Sequence, residues 1–115
     1  MRLEATEQEI QKTLLDYLKL KGYVAIKHRN VGIYKRSTDS YIPLPEDERG
    51  ISDIIACSPN GTFVAIEVKR KRGKPSDAQI AFIETVNRKG GIGAICYSLE
   101  DLIGVLAAGS KILSR

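Results

Sequence analysis

Asp53, Glu67 and Lys69 are the residues of this chain whose types and spacing carry chemistry: two carboxylates and an ammonium on neighbouring extended segments. Segments 51 to 57 (ISDIIAC) and 62 to 69 (TFVAIEVK) read as strands, and Ser58-Pro59-Asn60-Gly61 between them reads as the turn of a hairpin. Proline second, asparagine third and glycine fourth suit a type I turn closed by a glycine bulge. That turn sets Ser58 opposite Thr62, and counting outward sets Asp53 opposite Glu67 with Lys69 on the same face. Directly opposed like charges cost stability, so two carboxylates placed this way call for a cation between them, and oxygen ligands suit Mg²⁺ or Mn²⁺. Val64, Ile66 and Val68 alternate onto the other side, toward a core. Alternation alone is better explained by a strand with one solvated face, where Glu and Lys are common; the wider pattern shifts that balance.

The elements that must position these groups follow from periodicity and caps. From Thr6 to Lys21, apolar residues recur at helical spacing (Ile10, Leu14, Leu15, Leu18), with Thr6 as a cap and Gly22 as a stop. Tyr23 to His28 reads as a strand, and the polar stretch from Arg29 to Gly50 is the least determined part. Ser76 caps a helix running to about Lys89, with Ile80, Ile83 and Val86 on one face and Gly90-Gly91 ending it. Gly93 to Tyr97 reads as a strand. Ser98 with Asp101 begins a last helix ending at Gly109. The expected order is α, β, ββ, α, β, α, an α/β fold with a mixed β-sheet flanked by helices, and residues 1–115 are expected to form one domain.

Composition excludes several classes. The chain has 115 residues, 43% hydrophobic and 28% charged, which supports one compact core rather than disorder. Eighteen basic against 14 acidic residues give a net charge of +4, a weak pointer to an anionic partner. Cys57 and Cys96 lack CxxC spacing and read as buried free thiols in a reducing compartment; with His28 the lone histidine, a zinc site is not expected. The start MRLEATEQEI has no signal-peptide core, and no run reaches the roughly 18 apolar residues of a membrane span, so a cytoplasmic protein is expected. A serine-hydrolase triad and a nucleotide-cradling glycine loop are both missing.

Gly50-Ile51-Ser52-Asp53 followed by Glu67-Val68-Lys69 resembles the Asp…Glu-x-Lys signature of the PD-(D/E)XK nuclease superfamily. More narrowly, Thr6-Glu7…Ile10-Gln11, Gly-x-x-Asp, Ile-Glu-Val-Lys, a basic loop, Ser76…Gln79 and Gly90-Gly91 before a strand resemble a VRR-NUC domain, over about Thr6 to Leu106. Ser52 departs from the pattern, which commonly has proline before the aspartate; this removes a rigid turn element but no catalytic atom. The resemblance implies a restriction-endonuclease-like core. It also implies a metal held by Asp53, Glu67 and the Val68 carbonyl, with Lys69 positioning water or stabilising the phosphate.

An accessory acidic ligand is implied on the first helix. Glu9 is explained by a capping box with Thr6, which leaves Glu7, on the Ile10/Leu14 face, as the favoured candidate. Gln79 and Gln11 fit water- or phosphate-positioning roles, although Ser76-x-x-Gln79 is also a capping box. Arg70, Lys71, Arg72 and Lys74 emerge beside the expected metal as candidates to hold DNA backbone. Arg29, Lys35, Arg36 and Arg49 form a looser basic set near Tyr34 and Tyr41. The expected activity is structure-selective DNA cleavage at four-way junctions by a C2 homodimer, dependent on Mg²⁺ or Mn²⁺. Its rivals are a phage nuclease acting on flaps, ends or nicks, and a DNA-binding module that does not cut.

Overall fold

The computed structural model describes residues 4–28, 33–42 and 50–113. Helix α1 (Glu7–Leu20) starts where expected because Thr6 and Glu9 form a reciprocal capping box. It stops at Gly22, where the Gly22 and Tyr23 N–H groups turn back onto the Lys19 and Leu18 carbonyls. Helix α2 (Asp77–Arg88) repeats this logic, with a Ser76–Gln79 capping box and an end at Gly90-Gly91. Both helices therefore follow from local hydrogen bonding.

Strands β1 (Val24–Lys27), β4 (Ile54–Cys57), β5 (Phe63–Val68) and β6 (Ile92–Cys96) form one sheet in the order β1-β4-β5-β6. The first two pairings are antiparallel and β5/β6 is parallel, joined through α2. On one face Ile54, Ala56, Val64, Ile66 and Val68 pack with Ile10, Leu14 and Leu18 of α1 and with Leu102 and Leu106 of helix α3 (Leu99–Leu113). On the other face Ala65 packs with Ile83 and Val86 of α2. A mixed sheet flanked by helices is thus what the chain forms.

Several expectations need correction. The undetermined stretch contains a further hairpin, β2 (Ile33–Lys35) and β3 (Ser40–Ile42), joined by a 3₁₀ turn at Arg36–Thr38 with Asp39 left-handed at φ 48. Helix α3 does not end at Gly109. A β-carbon there would meet Ile92 Cδ1 at 2.5 Å, so the glycine serves close packing of α3 on β6 rather than termination. Strand β4 begins at Ile54 because the Val68 N–H, next in line for the ladder, goes to the Asp53 side chain at 2.9 Å. Strand β6 ends at Cys96 because the Tyr97 N–H goes to Asp101 Oδ2.

Burial, with a smaller contribution from the Asp101 charge, pushes the Cys96 thiol up to about 12. Cys57 is exposed instead, at the end of the sheet where its strand partners Val24 and Phe63 are exposed as well. Among the described residues no helix is long and apolar enough to cross a membrane.

Candidate active site

The hairpin turn sets the register. Gly61 N–H donates to Ser58 O at 2.9 Å, Ser58 N–H donates to Thr62 O at 2.9 Å, and Gly61 takes φ 88, the left-handed value a glycine bulge needs. The pairs then run Cys57↔Phe63, Ala56↔Val64, Ile55↔Ala65 and Ile54↔Ile66. One step further, Asp53 faces Glu67.

This face is not wet. Helix α2 covers it, and Glu67 is 1% exposed. Its Oε2 accepts the Gln79 amide at 3.0 Å and lies 3.6 Å from Lys69 Nζ, while Oε1 is buried with no donor from the protein. Burial above all, together with the Asp53 charge and a hydrogen bond to Asp53, pushes the Glu67 carboxyl up to about 8 against the opposing pull of Lys69. Without a cation, a proton on Glu67 is what relieves the pair.

Gln79 is a cap of α2 and at the same time a partner of Glu67. Its Oε1 accepts Ser76 N–H at 2.8 Å, which turns the amide so that Nε2 donates to Glu67. Gly50 makes this approach possible. It has φ 85, and a β-carbon there would lie 2.6 Å from the Ala78 carbonyl, so the segment entering Asp53 runs directly under the first turn of α2.

Of the first-helix acids, Glu9 is taken by the Thr6 cap, at 2.9 Å from its N–H. Glu7 Oε2 lies 3.5 Å from the Arg70 N–H, just beyond the end of β5. Gln11 is buried in the α1 face that packs on the sheet. His28 contributes its N–H to Asp53 O at 2.7 Å, tying the end of β1 to the site residue's backbone.

Arg70, Lys71, Arg72 and Lys74 are all exposed in the loop that leaves β5. Lys35 and Arg36 are exposed on the separate β2/β3 hairpin, and Arg29 and Arg49 lie outside the described residues. Tyr97, to which sequence reading assigned no role, donates its hydroxyl to the Gly73 carbonyl at 3.0 Å. Its place at the carboxyl end of a parallel strand, beside the end of β5, is the signal that could have found it.

Residues 34–100 match the VRR-NUC domain family, more than half of the chain. The chain belongs to that family. A solved structure described as a VRR_NUC domain superposes with a TM-score of 0.62 at 19% identity, covering 90% of this chain and 97% of the other; at that identity it shows a shared fold. No curated protein matches the sequence. The VRR-NUC match takes in Asp53, Glu67, Lys69 and Gln79, whereas Glu7 and α1 precede it.

Nuclease domains of the VRR-NUC type are generally dependent on a divalent metal. The donor set here fits one. Among the described residues no three His, Cys, Asp or Glu side chains gather as a ligand group, and the carboxylates that face each other here are those of Asp53 and Glu67. Because the Lys69 N–H is given to β6 and the Val68 N–H to Asp53, strand geometry directs the Val68 carbonyl to the Asp53 side. A buried carboxylate oxygen without a donor, beside a second carboxylate, is the arrangement a hard cation satisfies.

Proposed function

We propose that this VRR-NUC domain is a metal-dependent endonuclease that hydrolyses phosphodiester bonds in DNA. The observation that carries the reading is Glu67: a buried carboxylate with an unsatisfied oxygen, set across from Asp53 and next to Lys69. A binding-only protein has no need to keep two carboxylates together where phosphate must approach. Asp53, Glu67 and the Val68 carbonyl would hold Mg²⁺ or Mn²⁺, with Glu7 the accessory acid on the side of Arg70. Bound there, the ion supplies a water of lowered pKa and neutralises charge on the phosphate.

The remaining work belongs to side chains. Lys69, with 15% of its side chain exposed, is a fixed cation that orients the attacking water or the phosphate oxygen. Gln79 holds Glu67 in one rotamer, so the carboxylate need not reorganise as charge develops. Arg70, Lys71, Arg72 and Lys74 hold the flanking backbone, and Lys35 and Arg36, with Arg29 and Arg49, extend that hold.

The proposed substrate is branched DNA, a four-way junction foremost, cut in the cytoplasm by two copies of a 115-residue single-domain chain related by a two-fold axis. One active site cuts one strand, and paired cuts at a junction require two. Labelled four-way junction, flap and linear duplex, presented with Mg²⁺, Mn²⁺ or EDTA alongside Asp53→Asn, test this. Junction cleavage by the parent with metal, and by neither EDTA-treated parent nor mutant, is expected. Preferential cutting of flaps, ends or nicks would replace the substrate by the phage-type processing role. Binding without cutting would leave a non-catalytic module, and a monomeric mass by light scattering would remove the dimer.

A further inference from the structure

The loop that leaves the active site begins with a turn whose backbone does not suit its sequence. Gly73 N–H donates to Arg70 O at 2.8 Å, closing residues 70–73, and Arg72 at the third position has φ 68. That position favours glycine or asparagine, because a β-carbon crowds the carbonyl there. A long, cationic side chain in its place is a local cost, and such outliers persist where the side chain is used or the surroundings hold it. Here the surroundings hold the turn, and the side chain is left free for a partner. Arg72 is exposed, and among the described residues its guanidinium has no hydrogen-bond or ion-pair partner.

The turn is also clamped at each end. Lys69 N–H is bound to Cys96 O at 3.1 Å, which fixes the entry to β6. The exit is held by the Tyr97 hydroxyl on Gly73 O at 3.0 Å, and Tyr97 is itself anchored by its N–H on Asp101 Oδ2 at 2.8 Å. Gly73 cannot be larger, since a β-carbon would meet Arg70 O at 2.9 Å. Strand β6 and the start of α3 thus hold a short turn directly after Lys69 and present Arg72, three residues on, near its tip.

We infer that Arg72 is the contact for a DNA phosphate flanking the scissile one, and that Tyr97 is a positioning residue that holds the turn for it. The inference rests on the nuclease reading for the identity of its partner. A guanidinium on a pre-formed turn loses less freedom on binding than one on an open loop, and its planar donors match phosphate oxygens. The energetic signature is a trade: the residue that strains the free protein strengthens the complex.

Fluorescence anisotropy with labelled four-way junction and duplex, in Ca²⁺ over a salt series, tests this on parent, Arg72→Gly, Tyr97→Phe and the double variant. Arg72→Gly is expected to raise Tm, weaken binding roughly three- to tenfold and reduce the slope of log affinity against log salt by about one. Tyr97→Phe, which keeps the ring, is expected to weaken binding in the parent and to have no further effect in the Arg72→Gly background. A purely structural tyrosine would act equally in both. If the parent cleaves with Mg²⁺ while Arg72→Gly binds with parental affinity and slope, or the two effects simply add, this inference alone falls. If the parent neither binds nor cuts DNA, the nuclease reading falls and takes this with it.

Discussion

The Gln79 amide donates to Glu67 Oε2 at 3.0 Å while its own oxygen is held by the Ser76 N–H at 2.8 Å. A helix cap and a site contact are therefore made by the two ends of one side chain. Gln79→Ala should remove both, costing about 1 kcal/mol of stability from the cap and reducing cleavage by roughly 10- to 100-fold as Glu67 loses its support. Ser76→Ala removes the hydroxyl but not the N–H that orients Gln79. It should show a similar stability loss with near-parental cleavage, and equal damage to activity in both variants would argue that only helix integrity matters.

Glu67 makes the metal-free protein sensitive to pH. Its folded value near 8 lies above the ordinary 4.5, so between those limits the folded state holds more protons than the unfolded one. Stability therefore falls as pH rises from about 4.5 to about 8 and levels off above, by on the order of a few kcal/mol. Glu67→Gln should abolish cleavage yet melt higher than the parent at pH 8 in EDTA, with that difference vanishing near pH 4. Mg²⁺ should stabilise the parent at pH 8 and leave the variant unchanged. Thermal melts at several pH values decide it.

Lys69 lies 3.6 Å from Glu67 Oε2. Lys69→Met preserves the length of the stem and removes the charge, so the fold should be retained while single-turnover cleavage disappears. Metal binding, followed by the Mg²⁺-dependent rise in Tm, should persist; its loss would move Lys69 from reacting phosphate to metal retention.

Gly50 sits where a β-carbon would lie 2.6 Å from the Ala78 carbonyl, at φ 85. Gly50→Ala should cost about 1–3 kcal/mol from the backbone conformation and the clash together. It should also lower activity by pushing the first turn of α2, and Gln79 with it, away from Glu67. Urea unfolding beside a cleavage assay measures both, and parental values would show that the contact gives way freely.

What could be read from the amino-acid sequence here was settled by interactions between near neighbours. The Ser58-Pro59-Asn60-Gly61 turn determines a register, and the register alone sets Asp53 across from Glu67. The capping boxes at Thr6 and Ser76 and the stops at Gly22 and Gly90 likewise involve groups within a few residues. Tertiary packing decided the rest. That α2 closes over the Glu67 face, burying a carboxylate that strand alternation alone would leave solvated, depends on Ile83 and Val86 meeting Ala65. That Tyr97 holds Gly73 depends on β6 lying parallel to β5, a pairing made through the α2 crossover. Gly109 reads as a helix stop until Ile92 is seen against it, and the exposure of Cys57 depends on which end of the sheet is left uncovered. Turns and caps satisfy their hydrogen bonds locally and so are written in a few adjacent letters. Burial, and the shifted acidity of Glu67 that comes with it, is a property of which distant surfaces meet.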